Sequence, residues 1–140
     1  MTLINNRFAL LVCAILSSFF LIASCDEDDK CNAGTGGNVV LVTKPQHHGK
    51  AIISQAAYLD SAFIKFNTKE FPGANASLYD LVVAGEIGED HVHISGLKCG
   101  DYYIYMSGWD TTINQRVTGG LPYSFSQESG EINLVVPVTE

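Results

Sequence analysis

Positive charge is scarce in this chain. Eight Lys and Arg stand against fifteen Asp and Glu in 140 residues, a formal net charge of −7. Nucleic-acid binding needs a basic patch, and flat electrostatic attachment to anionic lipid needs one too. The composition argues against both. Helical periodicity is also missing. Only 52–59 tolerates helix, and it is short enough to read as strand or irregular structure. No segment repeats. The nucleophile turn Gly-x-Ser-x-Gly is absent. The glycines of 34–37 lack the Lys-Ser/Thr end and the following helix of a phosphate loop. Neither Cys31 nor Cys99 has a second cysteine at ligand spacing, which argues against a thiolate zinc site. No catalytic residue is assigned, and hydrolase is the weakest functional class.

Long apolar runs are limited to one. Residues 8–22 form it, and Arg7 is the only charged side chain before Asp26. A membrane-spanning helix needs roughly 20 apolar residues, so the run is short for spanning. It suits an export leader over 1–24, closed by the small residues Ala23 and Ser24. Cys25 follows, and then the acids Asp26, Glu27, Asp28 and Asp29. Residues 21–25 resemble the lipobox of bacterial lipoproteins. That resemblance implies cleavage before Cys25 and acylation of its thiol and new amino group. It also implies anchoring in the bacterial outer membrane, on its periplasmic or cell-surface face. A single acyl chain holds a protein only marginally, so several are used. The four acids resemble the export signals of Bacteroidetes surface lipoproteins; a plain solvated tether is the competing reading. A secretory leader with an unmodified Cys25 remains the alternative for the leader itself.

Removal of 1–24 leaves 116 residues, room for one domain. Fifteen acids then face seven bases, a net of −8. The division is a leader at 1–24, an acidic and Gly-rich tether at 25–38, and a folded domain at 39–140. Cys13 leaves with the leader. Cys31 and Cys99 remain as an even pair in an oxidising compartment, so a disulfide is expected, with two free thiols as the alternative. A bridge there closes a loop of 67 intervening residues, which the chain-entropy model values at roughly 4 kcal/mol.

Short strands with alternating faces fill the rest. The pattern predicts strands near 39–43, 62–67, 79–84, 91–95 and 102–107, an interrupted strand over 115–125, and a final antiparallel strand over 132–138. Val92 and Ile94 face opposite to His91, His93 and Ser95. Tyr102, Ile104 and Met106 face opposite to Tyr103, Tyr105 and Ser107. The two stretches read as a hairpin turning at 98–101. About seven strands at this spacing predict an all-β antiparallel sandwich.

Residues 92–110 carry a second resemblance. Gly96-Leu97 and Gly100-Asp101-Tyr102 between alternating strands resemble the penultimate hairpin of prealbumin-like sandwich domains, which include the carboxypeptidase regulatory-like domains. The strand 63–67 fits the same pattern. The resemblance implies a Greek-key sandwich. Hydroxyisourate hydrolases of that fold end in a Tyr-Arg-Gly-Ser tail. This chain ends Val136-Pro137-Val138-Thr139-Glu140, so the resemblance points to the non-catalytic branch of binding, spacer and assembly modules.

Two sets of side chains are candidates for function. The four histidines come as His47-His48 and His91-x-His93. Residues two apart in a strand share a face, so His91 and His93 can chelate one ion. His47 or His48 would add a third nitrogen if the strands are neighbours. Imidazole suits zinc, copper or nickel, and Asp90 or Glu89 would complete or orient the site. The competing reading is a solvated strand face. Tyr103, Tyr105, Trp109 and Tyr123 form the second set, either an exposed platform for a glycan or peptide or rings packed under loops. The leading expectation is a non-enzymatic binding or assembly module with an envelope-protein or glycan partner. A transition-metal-binding lipoprotein is the alternative.

Overall fold

The computed structural model describes residues 31–140. The leader, Cys25 and the acids after it lie outside the described residues. The described chain is an all-β sandwich. Its strands are β1 (Thr35–His47), β2 (Lys50–Ala51), β3 (Ser61–Phe66), β4 (Leu81–Ala84), β5 (Val92–Leu97), β6 (Gly100–Asp110), β7 (Gln115–Phe125) and β8 (Ser129–Pro137). One 3₁₀ turn, Ala76–Leu78, interrupts the β3–β4 connection.

The first sheet is built around β1. Strand β5 pairs antiparallel with one edge of it, β8 pairs parallel with the other over nine positions, and β2 turns back on its end. The second sheet runs β4-β3-β6-β7, all antiparallel. The inner faces meet in one core containing Val39, Leu41, Val92, Ile94, Leu97, Tyr102, Ile104, Met106, Val117 and Val136. All but Leu97 lie on the face that period-two alternation assigns to them, and Leu97 turns inward past the irregularity at Gly96.

Several expectations are corrected. The stretch 91–107 is not a hairpin, because β5 and β6 belong to opposite sheets. Its apolar sets, Val92/Ile94 and Tyr102/Ile104/Met106, face each other across the core. Gly96 at φ 77 and Gly100 at φ 146 permit the crossing. The final strand is not antiparallel: β8 runs in the direction of β1. Strand β7 is continuous across Gly119-Gly120. Its Pro122 is tolerated because β7 is a sheet edge. Residues 31–38 are not a flexible linker. The strand begins at Thr35, and Asn38 pairs with Ser129. A side chain at Gly37 would run into the Leu97 backbone, so that glycine serves close packing.

The sandwich has two ends. One, the base, carries the chain entry at Cys31, the 98–99 turn, the 67–80 loop and the 126–128 turn. Cys31 is disulfide-bonded to Cys99, with Cα atoms 4.9 Å apart. Around the bridge, the Asn67 side chain accepts from the Ala33 N–H at 2.9 Å and donates to its carbonyl at 3.2 Å. The buried Tyr102 hydroxyl accepts from the Gly34 N–H at 3.1 Å and donates to the Lys98 carbonyl. The other end, the tip, gathers the loops 48–49, 52–60, 85–91 and 111–114 with residues 138–140. Strand β1 has thirteen residues, so base and tip are about 40 Å apart at roughly 3.3 Å per residue.

The disulfide yields a direct expectation. Reducing it restores the freedom of a long loop and lowers the unfolding free energy by roughly 4 kcal/mol. Denaturant midpoints of the oxidised and reduced protein measure this, and coincident midpoints would contradict it.

Candidate functional site

Chemistry concentrates at the tip, where β1, β5 and β6 deliver their last or first residues. Strand β1 alternates Leu41, Thr43, Pro45 and His47 inward and Val42, Lys44 and Gln46 outward. Val92 pairs with Thr43 and His93 with Val42. His91 and His93 therefore share the outer face, and His47 points into the sandwich. The four histidines do not converge on one ion. They form two groups on opposite faces of the first sheet.

In the inner group, His47 is 4% exposed. Its Nδ1 lies 2.7 Å from Asp110 Oδ2 and its Nε2 lies 2.8 Å from Glu140 Oε2. Asp110 also accepts from the Thr112 N–H at 2.7 Å and the Thr112 hydroxyl at 2.6 Å. The hydrogen bond to Asp110 raises the His47 pKa above its ordinary value. Burial opposes this, and Glu140 reinforces it. The Thr112 hydroxyl and His47 hold the Asp110 carboxyl far below the usual range. The Glu140 carboxyl is lowered by its own backbone N–H and by His47. The result is an imidazolium clasped by two carboxylates, joining β1 of one sheet to β6 of the other. The clasp is reinforced where Thr118 and Thr139 exchange backbone hydrogen bonds. His48 adjoins it, and among the described residues His47, His48 and Glu140 bring ligand atoms within 4.8 Å of one another.

In the outer group, His91 Nε2 lies 2.9 Å from His93 Nε2. His91 Nδ1 lies 2.7 Å from Asp90 Oδ1, and Asp90 also meets Lys44 Nζ at 3.8 Å. These imidazoles border a cleft of about 260 Å³ whose other walls are Ala84, Gly85, Glu86 and Glu89. His91 and His93 thus meet each other, and Asp90 meets His91.

The aromatic set is divided. Tyr103 and Tyr105 are buried in a cluster with Tyr79, Phe63 and Phe71 on the outer face of the second sheet, beneath the 67–80 loop. Tyr123 packs on the inner side, against the main core. Trp109 is at the tip, stacked on Tyr58 with ring centroids 4.1 Å apart.

No family model, curated protein or solved structure matches this chain.

A further carboxylate escaped the sequence reading. Asp60 is fully buried, and neither of its side-chain oxygens meets a hydrogen-bond partner among the described residues. Its backbone ties the tip together, donating to Ser54 Oγ at 3.0 Å and accepting from the Gly85 N–H at 2.7 Å. Gly108 leaves it room, since a Cβ there would sit 2.7 Å from Asp60 Oδ1. Burial pushes its pKa up to about 6. Nothing in the local sequence marks Asp60, because the packing around it comes from distant segments.

Two pH effects follow, and both lower stability as pH rises. The folded Asp60 ionises at higher pH than the unfolded one, so stability falls as pH rises from about 4 to about 6. The difference is worth about 3 kcal/mol at 1.36 kcal/mol per pKa unit. His47 has a raised folded pKa, so its contribution is complete below about 6.5 and is lost as pH climbs through the folded value. Chemical denaturation from pH 3 to pH 9 should show Asp60→Asn flattening the acid limb and His47→Gln flattening the alkaline limb. Wild-type slopes surviving in both variants would contradict these assignments.

Proposed function

We propose that the chain is a lipid-anchored module of the bacterial cell envelope that holds a partner protein at its tip. Acyl chains on Cys25 fix the base to the outer membrane. Six Cα steps separate Cys25 from Cys31, a reach of at most about 20 Å. The tip then stands roughly 40 Å farther out, by the rise of β1. The fold is of the prealbumin-like, carboxypeptidase regulatory-like kind. That reading is supported by the work Gly100-Asp101-Tyr102 does at the base. A Cβ on Gly100 would press on Ala33, Asp101 accepts from the Ser124 hydroxyl at 2.6 Å, and the buried Tyr102 hydroxyl holds the chain entry.

One observation carries the binding role. Among the described residues, Ile53, Tyr58, Leu59, Ile87 and Ile113 are five of the nine large apolar side chains left exposed, and all five sit on the tip loops. The loops adjoin one another. Ser54 N–H donates to the Glu89 carbonyl and Gly88 N–H to the Ser54 carbonyl, both at 2.9 Å. Residues 50–53 and 55, with 110–112, line one cleft. Ile87 is 67% exposed, an unfavourable place for isoleucine without a partner. Aliphatic side chains suit a protein surface. A sugar ring wants a free aromatic face, and here Trp109 is already stacked on Tyr58. The proposed role is binding, and no catalytic step is assigned to it.

Photo-crosslinking in intact envelopes tests this. A crosslinker at position 87 or 59 should give one protein adduct of defined mass, and one at Val135, exposed on the face of the first sheet, should give none. Equal labelling at all three positions, no tip adduct, or a tip adduct made only of glycan would overturn the proposal.

A further inference from the structure

We propose that His91 and His93 form a mononuclear copper(II) site at the side of the tip, with Asp90 as its positioning residue. His91 immediately precedes β5 and His93 is its second residue, so the two rings, two residues apart, leave the same side of the chain. Their Nε2 atoms already converge to 2.9 Å.

That spacing suits a cis pair of ligands. Two nitrogens 2.9 Å apart, each about 2.05 Å from a shared ion, subtend about 90° at it, whereas a tetrahedral ion would hold them about 3.3 Å apart. A right angle is the cis angle of tetragonal copper(II) or nickel(II). Copper(II) binds nitrogen and oxygen donors more tightly than the other divalent first-row ions.

The surroundings match. With the His91 Nδ1–H donating to Asp90, Nε2 is the lone-pair nitrogen of that ring. A carboxylate behind a ligating imidazole fixes its tautomer and raises its basicity. Asp90 is itself steadied by Lys44. Glu86 and Glu89 line the same cleft. Either acid, or water, can fill the remaining equatorial positions. On loading, the ion takes the place of the proton now shared between the two Nε2 atoms, and that proton moves to Nδ1 of His93, which keeps the ring neutral. The inner histidine is not equivalent, since both nitrogens of His47 are engaged by carboxylates. The site is independent of the docking role of the tip loops, and either can fail without the other.

The test is copper(II) binding to the full acylated chain in detergent. Affinity is read by competition with a chelator and geometry by electron paramagnetic resonance. The wild type should give one tetragonal signal with superhyperfine splitting from two nitrogens. The His91→Gln/His93→Gln double variant should lose at least 100-fold in affinity, and Asp90→Asn at least tenfold, both with unchanged circular dichroism. His48→Ala, which removes an imidazole from the neighbouring His47/His48/Glu140 group, should bind as the wild type does. Copper retained by the double variant, copper lost in His48→Ala, or tighter binding of zinc than of copper would overturn the assignment.

Discussion

Strand β1 is hydrogen-bonded along both edges, to β5 and to β8, so its register cannot slip by one residue without turning its core face to solvent. That constraint fixes Leu41, Thr43, Pro45 and His47 inward and Val42, Lys44 and Gln46 outward. The histidines inherit their sides from it. His47 is carried into the gap between the sheets, where only a clasp of carboxylates makes a buried imidazolium tolerable. His93, opposite Val42, is carried to the outer face, and His91 goes with it.

The same strand gives the molecule its polarity. It starts beside the disulfide and ends at the clasp. Everything that secures the entry of the chain lies at one end: Cys31–Cys99, Asn67 on Ala33, and the Tyr102 hydroxyl between Gly34 and Lys98. Titratable and exposed apolar groups collect at the other. Asp60 shows that the tip is not built for maximal stability. A buried carboxylate without a partner is destabilising at neutral pH, and such groups cluster where loops are shaped for purposes other than packing.

Much of this was legible in the residues. Alternation placed Val92, Ile94, Tyr102, Ile104 and Met106 inward, and these residues form the core. Cysteine parity gave the bridge. The hairpin over 91–107 was misread because a tight return within one sheet and a crossing between sheets use the same glycines and the same alternation. Only the partners of β5 and β6 distinguish them, and those are remote in sequence. The inward turn of His47 was within reach, by counting in twos from Leu41. Its partners were not, since Asp110 and Glu140 lie 63 and 93 residues away. Tyr103 and Tyr105 were rightly placed on an outer face, but the 67–80 loop that covers them leaves no periodic trace.

The polarity of the sandwich relative to the membrane is the central claim, and its most direct measurement is proximity to the bilayer. The acylated chain would be reconstituted in vesicles carrying a headgroup-linked energy acceptor, with a donor fluorophore at position 128 of the base or at position 87 of the tip. Strong transfer from 128 and weak transfer from 87 is the result the account predicts. Equal transfer from both, or stronger transfer from 87, would contradict it.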